Sequence, residues 1–158
     1  MKNLEFTRID DRLIHGQVVA AWLHAYGKVQ HIIVIDDKTR QDPFMQEMFS
    51  LLVPSGVTIE ILSITEAIEI LKGGLAKPTM IIVKVPQTIQ TLINAGLDIN
   101  FVNIGGMGMT PGRKKFFQNV STSPEENEIL KQLITKGIKV EIQIIPAQKK
   151  VDVASLLK

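Results

Sequence analysis

The chain has 158 residues, of which 45% are hydrophobic and 22% are charged. This length and composition are typical of one globular domain that buries a core of ordinary size. The net charge of +2 lacks the basic excess of nucleic-acid-binding proteins, so no nucleic-acid partner is expected. The absence of cysteine excludes disulfides, thiolate catalysis and sulfur-ligated metals.

The N-terminal segment MKNLEFTRIDDR carries acidic residues and has no apolar region typical of a signal peptide. The apolar runs HIIVID and MIIVKV end in charged residues after a few positions and are too short to cross a membrane. The sequence therefore predicts a cytoplasmic protein that does not itself span the membrane.

Strand-like and helix-like segments alternate along the chain, beginning with a strand. The predicted strands are LEFTRI (4–9), HIIVID (31–36), VTIEIL (57–62), TMIIVKV (79–85), FVNIGG (101–106), FFQNV (116–120) and KVEIQII (139–145). The predicted helices run from Val18 to Gly27, Phe44 to Leu52, Ser63 to Gly73, Pro86 to Gly96, Ser123 to Gly137 and Val151 to Leu157. Capping boxes and terminal glycines support the longer helices.

This alternation predicts the α/β class, with a single domain over residues 1–158. We expect an open, mostly parallel β-sheet of about seven strands with helices on both faces, because several strands are almost continuously apolar. Such sheets bind ligands at the carboxyl ends of their strands. The chemistry is therefore expected in the loops that follow strands.

The loop DDRLIHGQ, residues 10–17, follows the first predicted strand and precedes the first helix. The free amides of a helix N-terminus attract anions, and Gly16 allows a ligand to approach the backbone closely. Arg12 supplies a planar cation that clamps phosphate oxygens. Either Asp10 or Asp11 is placed to orient the His15 ring, which leaves the second ring nitrogen free to attack. Together these residues make a site at which a histidine could be phosphorylated and its phosphoryl group held for onward transfer.

Other interpretations of the histidines remain open at this stage. His15 could simply cap a helix or fill a loop, or it could sense pH in a non-catalytic binding module. His24 lies in the first helix and His31 begins the second strand, and their spacing from His15 matches no metal motif. No metal site is expected.

A glycine-rich loop, VNIGGMGMTPGRKK (102–115), follows the fifth strand. It matches neither the P-loop nor the dinucleotide-binding pattern. The alternative function is nevertheless a doubly wound nucleotide-binding enzyme that uses the Gly105 to Gly112 loop as a phosphate cradle. Asp36 and Asp37, after the second strand, fit either a metal or ribose pair or a solvated turn that caps a helix.

The stretches FTRIDDRLIHGQVVAAWLHAYG, IIVIDD, VNIGGM and GIKVEIQIIP carry a family resemblance that runs from Leu4 to about Pro146. The chain closely resembles the enzyme IIB component of the bacterial sugar phosphotransferase system, mannose/fructose/sorbose family. The most specific part is R-x-D-x-R-L-x-H-G-Q, residues 8–17.

The resemblance implies a phosphocarrier on an open α/β sheet that needs no cofactor. It takes a phosphoryl group from the phosphohistidine of a IIA partner and gives it to a sugar that enters through the membrane components IIC and IID. The sugar would be of the mannose, fructose, sorbose or N-acetylgalactosamine type, and the protein would associate with the inner face of the cell membrane through IIC and IID.

Site residues follow from the same resemblance. His15 would be phosphorylated on its δ nitrogen, which leaves the ε nitrogen for a hydrogen bond, and Arg12 and Asp10 would assist it. The phosphate-binding loop would include Leu13, Ile14, Gly16 and Gln17, and a second loop near the site would include Gly105, Gly106 and Met107. We expect the donor-recognition surface among Arg12, Lys84 and Arg113 to Lys115. For Trp22 and the apolar stripe between Phe44 and Leu52, core packing is expected instead.

Overall fold

A seven-stranded sheet lies at the centre of the computed structural model, which describes residues 1–157. Its strands are β1 (Leu4–Asp10), β2 (His31–Ile35), β3 (Thr58–Leu62), β4 (Thr79–Val83), β5 (Phe101–Gly106), β8 (Lys139–Ile142) and β9 (Val151–Asp152), in the order β3-β2-β4-β1-β5-β8-β9. All neighbours are parallel except β8 and β9. A separate hairpin consists of β6 (Lys114–Phe117) and β7 (Val120–Thr122).

Helices cover both faces of the sheet, as the continuously apolar strands predict. They are α1 (Gly16–Ala25), α2 (Asp37–Gln41), α3 (Met45–Ser50), α4 (Ile64–Lys72), α5 (Pro86–Asn94) and α6 (Pro124–Thr135). In β2, Ile32 and Val34 pack with α1 and α3, whereas Ile33 and Ile35 pack in the core that holds α4, α5 and α6. The predicted fold class, a mostly parallel α/β sheet with helices on both faces, is confirmed.

The carboxyl end of β1 lies at the point where the chain changes direction across the sheet. From β1, helix α1 crosses one face toward β2, whereas from the adjacent β5 the chain continues through α6 to β8, in the opposite direction. The connections that follow β1 and β5 therefore diverge, and open α/β sheets bind their ligands in the crevice at such a point. The β1–α1 loop, which contains His15, borders this crevice.

Two predicted elements differ from the structure near the C-terminal end. The strand predicted at 116–120 is not in the central sheet: Gln118, with φ of 48°, helps to turn the chain between β6 and β7. The helix predicted from Val151 to Leu157 is instead β9 followed by a 3₁₀ turn, Val153–Ser155. Its pattern, with Val153 buried and Asp152 capping the turn, fits a strand end as well as a helix.

The predicted helix from Phe44 to Leu52 is shorter than expected and only partly buried. Phe49 is in the core, but Phe44 and Met48 are 71% and 50% exposed, so core packing of the whole stripe is the wrong prediction. The helix lies beside the edge strand β3, where Gln46 hydrogen-bonds the Ile59 carbonyl and the Ile61 amide. This edge contact aims one helix face at the sheet and leaves the opposite face in solvent. Within residues 1–157, no helix is both long and apolar enough to cross a membrane.

Candidate functional site

A five-residue turn between β1 and α1 presents His15 at the carboxyl edge of the sheet. The Leu13 amide donates to the Asp10 carbonyl at 2.9 Å, and the Arg12 amide donates to the Asp10 side chain at 3.0 Å. Leu13 has a left-handed φ of 58°, which a leucine rarely adopts. Its buried side chain and that of Ile14 anchor the turn in the core beneath it. Of the predicted phosphate-binding loop, these two residues therefore present only backbone to the crevice.

The His15 side chain is free to do chemistry because it has no part in capping the helix. His15 is the N-cap residue of α1, yet its ring makes no capping hydrogen bond, which removes the helix-cap interpretation. Its side chain is 29% exposed. Gly16 and Gln17 open the first turn and are exposed to solvent, and a Cβ on Gly16 would have nothing within 4 Å. An anion beside the ring would therefore meet unpaired helix amides.

Asp10 is the buried centre of the site and is completely inaccessible to solvent. Its Oδ1 accepts from Arg12 Nε at 3.1 Å, and its Oδ2 accepts from Arg12 Nη2 and Arg8 Nη2, each at 3.1 Å. The same Oδ2 lies 3.4 Å from His15 Nε2. Of the two aspartates considered from the sequence, Asp10 is thus the one that faces the imidazole, and Nδ1 is the ring nitrogen left free.

The electrostatics keep this carboxylate ionised. Burial opposes ionisation of Asp10, but hydrogen bonds from Arg12 and the positive charges of Arg8 and Arg12 outweigh it, so its pKa lies below the ordinary value. Burial also lowers the pKa of Arg8 to about 10, although the Asp10 charge counteracts this effect. Both groups therefore remain charged at neutral pH.

Asp11 turns away from the imidazole toward the glycine-rich loop. Its Oδ2 accepts from the Gly108 amide at 2.6 Å. A Cβ on Gly105 would overlap the Arg8 guanidinium, and one on Gly106 would stand 3.1 Å from Asp10 Oδ1. The glycines thus let the end of β5 pass close over the charged cluster, and the side chains of Arg8 and Asp10 occupy the space beside Gly105 and Gly106. Met107 is fully buried in the core and presents no side chain to the crevice.

Arg8 is the member of the site that sequence reasoning overlooked. Arg8 is the first residue of the motif at 8–17, but the sequence by itself indicates no role for it. Its guanidinium also bonds Asn103 on β5 and the carbonyls of Gln143 and Ile144 just after β8. Trp22 packs against it with the guanidinium carbon 5.3 Å from the ring centroid. The available signal was an arginine within an otherwise buried strand, which requires a buried partner.

The basic residues predicted for donor recognition differ in how accessible their side chains are. Arg113 is only 8% exposed and bonds Glu126 twice at 2.8 Å, so its guanidinium is not available for docking. Lys114 and Lys115 are exposed on β6. Lys84 lies 3.6 Å from Asp36, which caps α2 by accepting from the Thr39 amide. The helix-cap interpretation of Asp36 is therefore confirmed.

The Arg113–Glu126 pair predicts a pH-dependent contribution to stability. Burial raises the pKa of Glu126, but hydrogen bonds from Arg113 and Ser123 outweigh this and hold it below the ordinary value. We expect Glu126→Gln to lower the free energy of unfolding at pH 7 by about 3 kcal/mol, because the buried Arg113 loses its hydrogen-bonded counter-ion and keeps only Asp11 Oδ2, 3.9 Å from Nη1. The contribution is present above the unfolded-state pKa and is lost as pH falls through the folded-state pKa.

Urea unfolding at pH 7 and pH 3 checks this expectation. The difference between wild type and Glu126→Gln should shrink at the lower pH as the wild-type carboxylate takes up a proton. Glu125→Gln, on the neighbouring exposed residue, is the control and should stay close to wild type at both values. An equal difference in unfolding free energy between wild type and Glu126→Gln at the two pH values would show that the stabilisation is not electrostatic.

Together these features define an open α/β protein with a histidine, a buried aspartate and two arginines gathered at the switch point of its sheet. Comparison with known proteins then identifies the family. Residues 4–158 match the family model described as "PTS system sorbose subfamily IIB component". The chain therefore belongs to the sorbose-subfamily IIB components of the sugar phosphotransferase system, as the motif around His15 predicted. Components of this kind are sugar phosphotransferases that work with IIA and membrane IIC and IID components.

Relatives and solved structures agree with this assignment. The chain is 29% identical to the PTS system fructose-specific EIIB component of Bacillus subtilis, over all of this chain and 98% of that protein. It is 29% identical to the PTS system mannose-specific EIIAB component of Escherichia coli, over 95% of this chain and 47% of that protein. The crystal structure of the IIBSor domain of the sorbose permease from Klebsiella pneumoniae superposes with a TM-score of 0.90 at 26% identity, covering 97% of this chain and 94% of that one.

Proposed function

We propose that the protein is a phosphocarrier in which His15 Nδ1 accepts a phosphoryl group from the phosphohistidine of a IIA partner. It then donates the group to a sugar that enters through membrane IIC and IID components, and it acts at the cytoplasmic face of that membrane. The observation that carries this proposal is the contact of His15 Nε2 with the buried Asp10 carboxylate, 3.4 Å away, while the opposite ring nitrogen is free.

Asp10 prepares the imidazole as a nucleophile. A carboxylate facing Nε2 accepts a hydrogen bond from the N–H of that nitrogen and so selects the neutral tautomer whose lone pair is on Nδ1. When the Nδ1–phosphorus bond forms, the bond between phosphorus and the donor's imidazole breaks, and that imidazole leaves with the electron pair. The His15 ring gains positive charge in this step, and the adjacent Asp10 carboxylate stabilises it.

Arg12 and the start of α1 are suited to carry the negative charge of the transferring group. Arg12 is 47% exposed and, in residues 1–157, uses Nε and Nη2 on Asp10 while Nη1 has no partner. The Gly16 and Gln17 amides at the helix start add two more donors on the same side. Phosphoryl transfer depends mainly on positioning and charge compensation, so this set is sufficient without a metal ion.

A relative supports the choice of donor. The mannose-specific protein of Escherichia coli, which aligns with this chain over 47% of its own length, is named as an EIIAB component and so carries an A and a B designation in one protein. A donor that places its phosphohistidine in line with His15 Nδ1 must also cover the surface around Arg12. Lys84, Lys114 and Lys115 remain the candidates for that docking surface.

Replacing Arg12 is expected to slow transfer without unfolding the protein. Arg12→Gln should lower the rate of phosphoryl acceptance by about 10²–10³-fold, because one preorganised cation is lost from the transition state. Arg12→Lys should recover only part of this, since a lysine cannot hold a carboxylate and phosphoryl oxygens through one planar fork. The measurement is single-turnover transfer of labelled phosphate.

Arg40→Gln is a matched control, because Arg40 has a similar exposure of 49% and also pairs with a carboxylate, that of Glu66. It should keep the wild-type rate. Equal rate losses in the Arg40 and Arg12 variants would show that net charge, and not the Arg12 position, governs transfer.

The direct test is incubation of the protein with a phosphorylated IIA protein, followed by intact mass measurement. We expect the mass to rise by one phosphoryl group and the label to be acid-labile, as a phosphohistidine is. An unchanged mass with no label on the protein, together with thermal stabilisation by a nucleotide, would favour the nucleotide-binding enzyme and overturn the phosphocarrier proposal.

A further inference from the structure

We propose that Arg8 is a positioning residue: it is the fixed counter-ion that keeps the Asp10 carboxylate aimed at His15 Nε2 when Arg12 turns to the phosphoryl group. The proposal rests on the proposed function, and it assigns different tasks to the two arginines on the same carboxylate. Arg8 would hold Asp10 throughout the cycle, whereas Arg12 would move between Asp10 and the transferring group.

The first observation is that the Arg8 side chain is buried and that both terminal nitrogens of its guanidinium make two hydrogen bonds each. Its side chain is 3% exposed. Nη1 donates to Asn103 Oδ1 and to the Gln143 carbonyl, and Nη2 donates to Asp10 Oδ2 and to the Ile144 carbonyl at 3.0 Å. These partners belong to β1, β5 and the end of β8, so the guanidinium is held from three neighbouring strands.

The second observation is that the packing around the Arg8 guanidinium leaves no space for it to move into. The Trp22 ring covers one side of the guanidinium, and Trp22 Nε1 itself donates to the Ile144 carbonyl at 3.0 Å. On another side lies Gly105, where even a methyl group would overlap the guanidinium. Arg8 therefore cannot follow a phosphoryl group into the crevice, whereas the half-exposed Arg12 can.

The arrangement matters because Asp10 has no access to solvent. If Arg12 turned to a phosphoryl group, a carboxylate without Arg8 would keep only the imidazole as a polar side-chain partner. It would then rotate toward Arg12 or take up a proton, and in both cases it would stop selecting the tautomer with hydrogen on Nε2. Phosphoryl groups would then reach both ring nitrogens.

Two variants test this from opposite directions. Arg8→Met removes the charge, and Gly105→Ala keeps the charge but displaces the guanidinium. The first readout is the pattern of ¹⁵N NMR signals from the His15 ring, recorded at a pH at which the ring is neutral. The signals are assigned to His15 by their absence from the spectrum of His15→Gln. The second is the nitrogen modified by phosphoramidate, whose P–N bond breaks with release of ammonia as the histidine–phosphorus bond forms.

We expect wild type to show hydrogen on Nε2 and modification on Nδ1. Both variants should show mixed tautomers and at least a tenfold higher share of Nε2 phosphorylation, and Arg8→Lys should restore part of the wild-type pattern. Leu92→Ala, which truncates a fully buried side chain in α5, controls for a general loss of stability and should keep the wild-type pattern.

The proposal is overturned if folded Arg8→Met and Gly105→Ala both keep the wild-type tautomer and the wild-type choice of nitrogen. If Arg8→Met does not fold, the result for Gly105→Ala alone decides the question. If Gly105→Ala also fails to fold, Arg8→Lys must shift the tautomer of His15 for the proposal to stand. The tautomer measurement needs no phosphoryl transfer. A wild type that accepts no phosphoryl group would therefore contradict the proposed function while leaving the role of Arg8 open to the same spectra.

Discussion

His15→Ala is expected to fold normally and to accept no phosphoryl group from a phosphorylated IIA protein. The ring caps no helix and has one polar side-chain contact, to Asp10, so its removal costs little stability. Loss of the nucleophile, in contrast, removes the atom to which phosphorus bonds. By comparison with other enzymes that lose a nucleophile, transfer should fall by a factor on the order of 10⁶.

The measurement is intact mass after incubation with the phosphorylated donor, with sugar phosphorylation by the assembled system as a second readout. His24→Ala is the matched control, because His24 is an exposed histidine on α1 without a contact to Asp10. It should gain one phosphoryl group as wild type does. Undiminished transfer by His15→Ala would instead support the interpretation of this residue as a pH sensor.

Asp10→Asn is expected to have the second largest effect, because it changes the ring tautomer without changing the shape of the site. An amide nitrogen turned toward Nε2 favours hydrogen on Nδ1, the atom that must attack. The corresponding change beneath a catalytic histidine lowers rates by about 10⁴-fold, and we expect a loss of similar size here. The variant should also be less stable by about 3–5 kcal/mol, because the buried Arg8 loses its counter-ion.

Single-turnover transfer and urea unfolding separate these two consequences. Asp11→Asn is the control: its carboxylate is 30% exposed and contacts the Gly108 amide, not the imidazole. We expect it to slow transfer by less than about tenfold, through a looser glycine loop. A comparable loss in both variants would mean that the carboxylate facing His15 has no special part in the reaction.

The sequence by itself determined the class of fold and the position of the candidate loop around His15. Continuous apolar runs such as Ile32 to Ile35 require helices on both sides, and these residues do pack alternately into two cores. The capping residues Ser63 and Ser123 start their helices where the pattern placed them. These are local rules, since each depends on residues within one or two turns of each other.

Other elements could not be assigned from local patterns. The segments 116–120 (FFQNV) and 151–157 (VDVASLL) are short and lack a clear apolar periodicity, and only pairing decided their structures. The first bends into its own hairpin, and the second adds an antiparallel strand beside Ile142. A short run with mixed periodicity has no intrinsic preference strong enough to resist its neighbours.

The candidate site shows the same division at the level of single side chains. The spacing of Asp10, Asp11, Arg12 and His15 along one turn is a property of the sequence, which predicts a cluster at this loop, whereas the structure shows that Asp10 is the aspartate that faces the imidazole. The function of Arg8 and Gly105 depends on partners that lie 95 to 136 residues away from Arg8 in the chain. Only the folded sheet brings these partners together, because a buried guanidinium is stable only where strands distant in sequence supply its acceptors.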